Sequence, residues 1–130
     1  MSSTRRKGAA IVDTPKGIVV VAGHSKKFML PGGGAELWES RKKAAIRELY
    51  EETGLKTKSI TYLFRYTGKK WHSGTKPIRN HTKVFLIESD GEPRPRHEIK
   101  HVAFWKPGSK IYLTTGTRML IDKYLQEFKG

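Results

Sequence analysis

The chain of 130 residues contains no cysteine, so disulfides and thiolate metal sites are excluded and nothing calls for an oxidising compartment. The cytoplasm is the default expectation. No run approaches the roughly 20 apolar residues that a membrane-spanning helix needs, and no hydrophobic signal run follows the basic start from Met1 to Lys7. No membrane partner is expected, and that start reads as a frayed, solvated end. Acidic residues are scarce: 12 Asp plus Glu stand against 26 Lys plus Arg, giving a formal charge of +14. Such a field favours phosphate-bearing partners and disfavours acidic ones. There is no internal repeat, low-complexity tract or linker, and the length suits a single domain spanning residues 1–130.

What is present is an alternation of β-prone runs and helical patterns. Gly8 to Val12 and Gly17 to Ala22 predict adjacent strands separated by the turn residues Asp13 to Lys16. Phe28 to Leu30 predicts a short strand, and Pro31 with Gly32, Gly33 and Gly34 predicts a loop where regular pairing stops. Ser40 is placed to cap a helix from Arg41 to about Thr53, with Ala45, Ile46, Leu49 and Tyr50 on its packing side and Gly54 ending it. Basic residues at 41–43 oppose the helix dipole unless Glu39 or a phosphate offsets them. Further strands are predicted at Ser59 to Tyr66, Thr82 to Ile87 and His101 to Trp105. Met119, Leu120, Tyr124, Leu125 and Phe128 suit a final amphipathic helix. The expected fold class is α+β, a mixed β-sheet packed between helices.

The few carboxylates are unevenly distributed. At about 100° per residue, Glu48, Glu51 and Glu52 fall on one side of the first helix, while Ala45, Ile46, Leu49 and Thr53 fall mainly on another. Three adjacent carboxylates repel one another, whereas Mg²⁺ or Mn²⁺ takes hard oxygen ligands and would neutralise them. Taken alone, the cluster fits an ordinary solvated face better than a metal site, and Arg47 an ordinary surface ion pair.

The wider spacing is more specific. A glycine, five residues, a glutamate, seven residues, then Arg-Glu-apolar-x-Glu-Glu-x-Gly-apolar is met here by Gly33, Glu39, Arg47, Glu48, Leu49, Glu51, Glu52, Gly54 and Leu55. This pattern resembles the signature of the Nudix hydrolases and covers 23 of the 130 residues. The resemblance implies an αβα sandwich and hydrolysis of a phosphoanhydride bond. It implies that Glu48, Glu51 and Glu52 hold the catalytic divalent ions, with the Gly32 carbonyl as a further ligand and Glu48 also as a base. Arg47, together with Glu39, would orient the carboxylates. Because members of the family recruit another carboxylate from outside the signature, Glu98 is the first candidate, with Glu88 and Glu92 as alternatives.

Thr53 to Ile87 contains no acidic residue. If Arg65, Lys69, Lys70, Lys76 and Arg79 converge beside the carboxylate helix, they could bind phosphates remote from the scissile bond; otherwise they are outward-facing charges. Trp38, Trp71, Phe64 and Tyr66 could stack on a base, or serve as packing residues. His72 and His81 have no zinc-ligand spacing. Pro31 with its three glycines also resembles the loop of Nudix enzymes acting on diphosphoinositol polyphosphates and dinucleoside polyphosphates, although Trp38 stands where many members have glycine. The leading expectation is a nucleoside diphosphate linked to another moiety. A dinucleoside polyphosphate, a diphosphoinositol polyphosphate and an oxidised nucleoside triphosphate are alternatives. A nonenzymatic nucleic-acid binder is the competing class, although no specific RNA-binding motif is present.

Overall fold

A computed structural model describes residues 3–129. The elements follow in the order β1 (Ser3–Ile11), β2 (Asp13–Thr14), β3 (Gly17–Ala22), β4 (Gly32–Gly34), α1 (Arg41–Thr53), β5 (Lys56–Thr67), β6 (Trp71–Ser73), β7 (Lys76–Asp90), β8 (His101–Trp105) and α2 (Thr115–Glu127). One sheet has the order β4-β1-β7-β5, with β6 paired to β7; the other has the order β2-β3-β8. β1 and β7 run parallel, and the remaining pairs within both sheets are antiparallel.

The period-2 alternation of the strands sorts their apolar side chains into two cores. Ala9, Ile11, Ile18, Val20 and Val84 pack with Leu120, Ile121 and Tyr124 of α2. Ala10, Val12, Val19, Phe85 and Ile87 pack with Ala45 and Leu49 of α1. Strands buried on both faces read as continuous apolar runs, which is why Ile18 to Ala22 shows no polar alternation. The result is an αβα sandwich, with one mixed and one antiparallel sheet between two helices. Among the described residues, no helix is long and apolar enough to cross a membrane.

Three local expectations change. First, Ser3 to Lys7 is not a frayed end: it pairs in register with Ile78 to Thr82 of β7, while residues 1–2 lie outside the described residues. Second, the glycine run is a strand, since Gly32, Gly33 and Gly34 pair with Ala9, Gly8 and Lys7. This approach depends on missing side chains, because a Cβ on Gly32 would lie 2.3 Å from the Gly8 carbonyl oxygen. Third, Tyr50 leaves the packing side of α1 and is exposed, while Ala44 is fully buried. Arg96 holds Tyr50 outward, with its guanidinium 4.7 Å from the ring centroid and donating to the Tyr50 carbonyl at 2.9 Å. Similarly, on α2 it is Ile121 that is fully buried, whereas Met119 and Phe128 are half-exposed.

Candidate active site

α1 begins and ends where its sequence dictates. The Ser40 hydroxyl accepts from the Lys43 amide at 3.1 Å, and Gly54 adopts a φ of 77° while donating to the Tyr50 carbonyl at 2.8 Å. The helix buries Ala44, Ala45 and Leu49, and its carboxylates emerge beside the glycine strand β4. The Gly32 amide donates to Glu52 Oε1 at 3.0 Å. A Cβ on Gly33 would sit 2.6 Å from Glu48 Cδ, so this glycine leaves the space that the Glu48 carboxylate fills.

Arg47 connects the acidic residues. Its guanidinium donates to both carboxylate oxygens of Glu39 at 2.9 Å, to Glu48 Oε1 at 2.7 Å and to the Gly34 carbonyl at 3.1 Å. A longer contact of 3.3 Å reaches Glu51. The planar fork fits this set of acceptors as an ammonium would not. Hydrogen bonding from Arg47, followed by that of the Glu36 amide, holds Glu39 well below the usual carboxylate range, at about 2. Its bonds to Glu39 and then Glu48 raise Arg47 in turn, against the cost of its burial.

Glu48 and Glu52 respond in the opposite sense. Burial pushes Glu52 up to about 8, with the Gly32 amide pulling it down and the charges of Glu48, Glu98 and Glu51 adding to the rise. Burial also raises Glu48, opposed by Arg47 and reinforced by Glu51 and Glu98. These influences place Glu98, exposed in the turn before β8, within charge range of both carboxylates. Lys7 of β1 lies between them and an adjoining cleft. Burial, then the charge of Arg5, lowers its pKa, while Glu52 and Glu48 raise it.

The cleft is a cavity of about 430 Å³ between the sheet and the start of α2, and its lining includes Lys7, Met29, Tyr66, Lys69, Asn80 and Thr117. Its size lies within the usual range for small-ligand sites. Asn80 of this lining accepts at its Oδ1 from the indole nitrogen of Trp71 at 3.3 Å. The basic residues proposed from sequence do not gather there. Lys69 lines the cleft; Arg65 lines a groove that Arg6 and Arg41 also border; Arg79 pairs in register with Thr4 of that groove; Lys70 and Lys76 are exposed and line neither. Trp38 is 86% exposed on the loop before α1, Phe64 is buried against Phe128, and Tyr66 lines both depressions. Glu88 and Glu92 line a different cavity with Lys16 and Lys58.

Lys7 is the residue that the sequence reading missed. Its signal was available in the period-2 count back from Ala9 and Ile11, which places Lys7 on the α2 side of β1.

The cluster offers hard carboxylate oxygens, the donor type that suits a divalent cation, two of them desolvated and both set beside β4 by α1. Among the described residues, no three acidic or histidine side chains enclose a metal position as they stand. Arg47 draws Glu48 and Glu51 together while Glu52 turns to Gly32. The chemistry of the set fits Mg²⁺ or Mn²⁺ after a rotation of these side chains.

An αβα sandwich that presents a glycine strand against an Arg-Glu-rich helix defines a class, and comparison with known proteins agrees. The NUDIX domain family matches residues 4–124, and the chain belongs to the Nudix family. A candidate Nudix hydrolase family member from Chromobacterium violaceum superposes with a TM-score of 0.80 at 34% identity, covering 97% of this chain and 79% of that one. The MutT NUDIX hydrolase from Burkholderia pseudomallei superposes with a TM-score of 0.76 at 21% identity, covering 93% and 98%, and shares the fold. YtkD of Bacillus subtilis (strain 168), named as a candidate 8-oxo-dGTP diphosphatase, is 38% identical over 64 residues. That match covers 42% of this chain and 40% of YtkD.

Proposed function

We propose that this chain hydrolyses a phosphoanhydride bond, with a nucleoside diphosphate linked to another moiety as the leading substrate class. The observation that carries this reading is the placement of Lys7, which lines the cleft and lies within charge range of Glu48 and Glu52. An anion in the cleft thereby meets a cation at the edge of the carboxylate cluster.

Glu48, Glu51 and Glu52, with the Gly32 carbonyl, would hold Mg²⁺ or Mn²⁺. Such an ion, when bound, neutralises charge developing on phosphate oxygens. The chain's own residues supply the rest. Arg47, anchored on Glu39 and the Gly34 carbonyl, keeps Glu48 and Glu51 together on the face of α1 from which they would rotate towards the ion. Lys7 and Lys69 position the diphosphate, and Tyr66, Trp71 and Met29 offer apolar surface to the attached group. Glu48 and Glu98 are the candidate proton acceptors for the attacking water, Glu48 because burial raises its basicity and Glu98 because it stands near both carboxylates.

Dinucleoside polyphosphates and diphosphoinositol polyphosphates form the second reading, supported by the additional cation Arg5, whose charge acts on Lys7. A substrate panel with Mg²⁺ and with Mn²⁺ separates these classes: ADP-ribose, dinucleoside polyphosphates, oxidised deoxynucleoside triphosphates and diphosphoinositol phosphates, with product identification to locate the broken bond. Metal-dependent turnover of ADP-ribose-type compounds supports the leading class. Turnover confined to polyphosphates moves the assignment to the second, and no turnover of any compound removes the hydrolase reading.

A further inference from the structure

Alternation along β1 sends Arg5 and Lys7 to the α2 side and Arg6 to the α1 side. On the α1 side lies a groove of about 540 Å³, with a lining that includes Thr4, Arg6, Arg41, Arg65, Thr67 and His81. Arg41 comes from the first turn of α1 and donates to the His81 carbonyl at 3.4 Å. Arg79 and Lys83 continue the His81 row along β7, and Lys83 lies beside Arg65 across the β5 pairing. Among the described residues, Arg41, Arg65, Arg79 and Lys83 form no ion pair with a carboxylate. Their mutual repulsion opposes folding slightly, and a bound anion would relieve it.

We infer that this groove binds the sugar-phosphate backbone of single-stranded nucleic acid, at a site separate from the carboxylate cleft. Two features select a chain over a compact anion. Residues two apart on a strand repeat every 6–7 Å or so, so β7 offers regularly spaced basic positions that suit successive phosphates. Exposed aromatic rings flank the row: Tyr62 is 49% exposed beneath the Lys83 ammonium, 5.6 Å from the ring centroid. Trp38 projects from the loop whose Glu36 and Glu39 carbonyls Arg6 holds, at 3.5 and 2.7 Å. A basic track with stacking surfaces accepts a single strand without reading its sequence. Guanidinium forks add directional bonds to phosphate.

This inference is independent of the hydrolase reading, and its test excludes the cleft. A labelled single-stranded oligoribonucleotide ending in a 5′-hydroxyl is titrated in EDTA, with fluorescence anisotropy followed over a range of potassium chloride concentrations. The wild-type protein is expected to bind. Arg41→Ala with Arg65→Ala should weaken binding about tenfold or more and flatten the salt slope by roughly 1.4, at about 0.7 for each phosphate no longer neutralised. Arg41→Lys with Arg65→Lys should recover part of the affinity, which separates charge from misfolding. Lys106→Ala with Lys110→Ala, both exposed in the segment after β8 and outside the groove lining, should leave binding unchanged. Absence of wild-type binding, an unaltered slope in the arginine double variant, or equal losses in the two alanine pairs would overturn the proposal, the last by showing diffuse attraction to a +14 surface.

Discussion

The acidic and basic halves of this molecule are arranged by different geometries. On α1, three- and four-residue spacings keep Glu48, Glu51 and Glu52 together, and one guanidinium joins two of them to Glu39. On β1, β5 and β7, alternation splits a basic population between the α2 side, with Lys7, and the α1 side, with Arg6 and Arg65. A helix concentrates charge of one sign, whereas a sheet divides it into two fields. One strand thereby carries cations to both faces of the sheet.

The sharpest way to break this division is at its acidic centre. Glu52→Gln should lower kcat by roughly 100-fold or more while circular dichroism shows the fold intact, because the substitution removes a charged hard ligand and keeps the shape. Arg47→Lys comes next. Losing the fork that holds Glu39 and Glu48 should cost roughly 10–100-fold in activity, as for other residues that orient ligands, measured alongside Mn²⁺ affinity. On the basic side, Lys7→Ala should raise KM for a diphosphate substrate about tenfold, or about 1.4 kcal/mol. Arg41→Ala with Arg65→Ala should leave KM for the same small substrate unchanged. Equal effects of the two changes would show that the fields are not separate.

Proton linkage gives a smaller, thermal test. Burial pushes the Glu52 carboxyl up to about 8, from an ordinary value of 4.5. The folded state therefore holds the extra proton between those values, and this contribution to stability is complete below about 4.5 and lost as pH rises through about 8. Melting temperatures in EDTA should decline over that interval, and Glu52→Gln should flatten the decline.

The helix and its acids were legible because cap, apolar stripe, carboxylate spacing and terminal glycine are all local. Gly32 to Gly34 was not legible as a strand, because its pairing is set by Gly8 and by Glu48, residues distant in sequence whose atoms occupy the space where side chains would be. Tyr50 carries a helical apolar pattern, yet Arg96 from a later loop decides its orientation. The acid-free stretch could be read as a reservoir of charge but not as two surfaces: Lys69 and Arg65 are four residues apart, and only the register of β5 on β7 places Arg65 beside Lys83. Lys7 was obscured by its position near the chain start, where Ser3 to Lys7 extends β1 along β7.

The proposed hydrolysis depends on α1 presenting carboxylates to a divalent cation. Mn²⁺ titration followed by electron paramagnetic resonance, comparing the wild-type protein with Glu52→Gln and with Glu48→Gln, tests that directly. Saturable binding by the wild type, weakened at least tenfold in each variant with the fold unchanged, is the predicted result. Equal Mn²⁺ binding by all three proteins would contradict it.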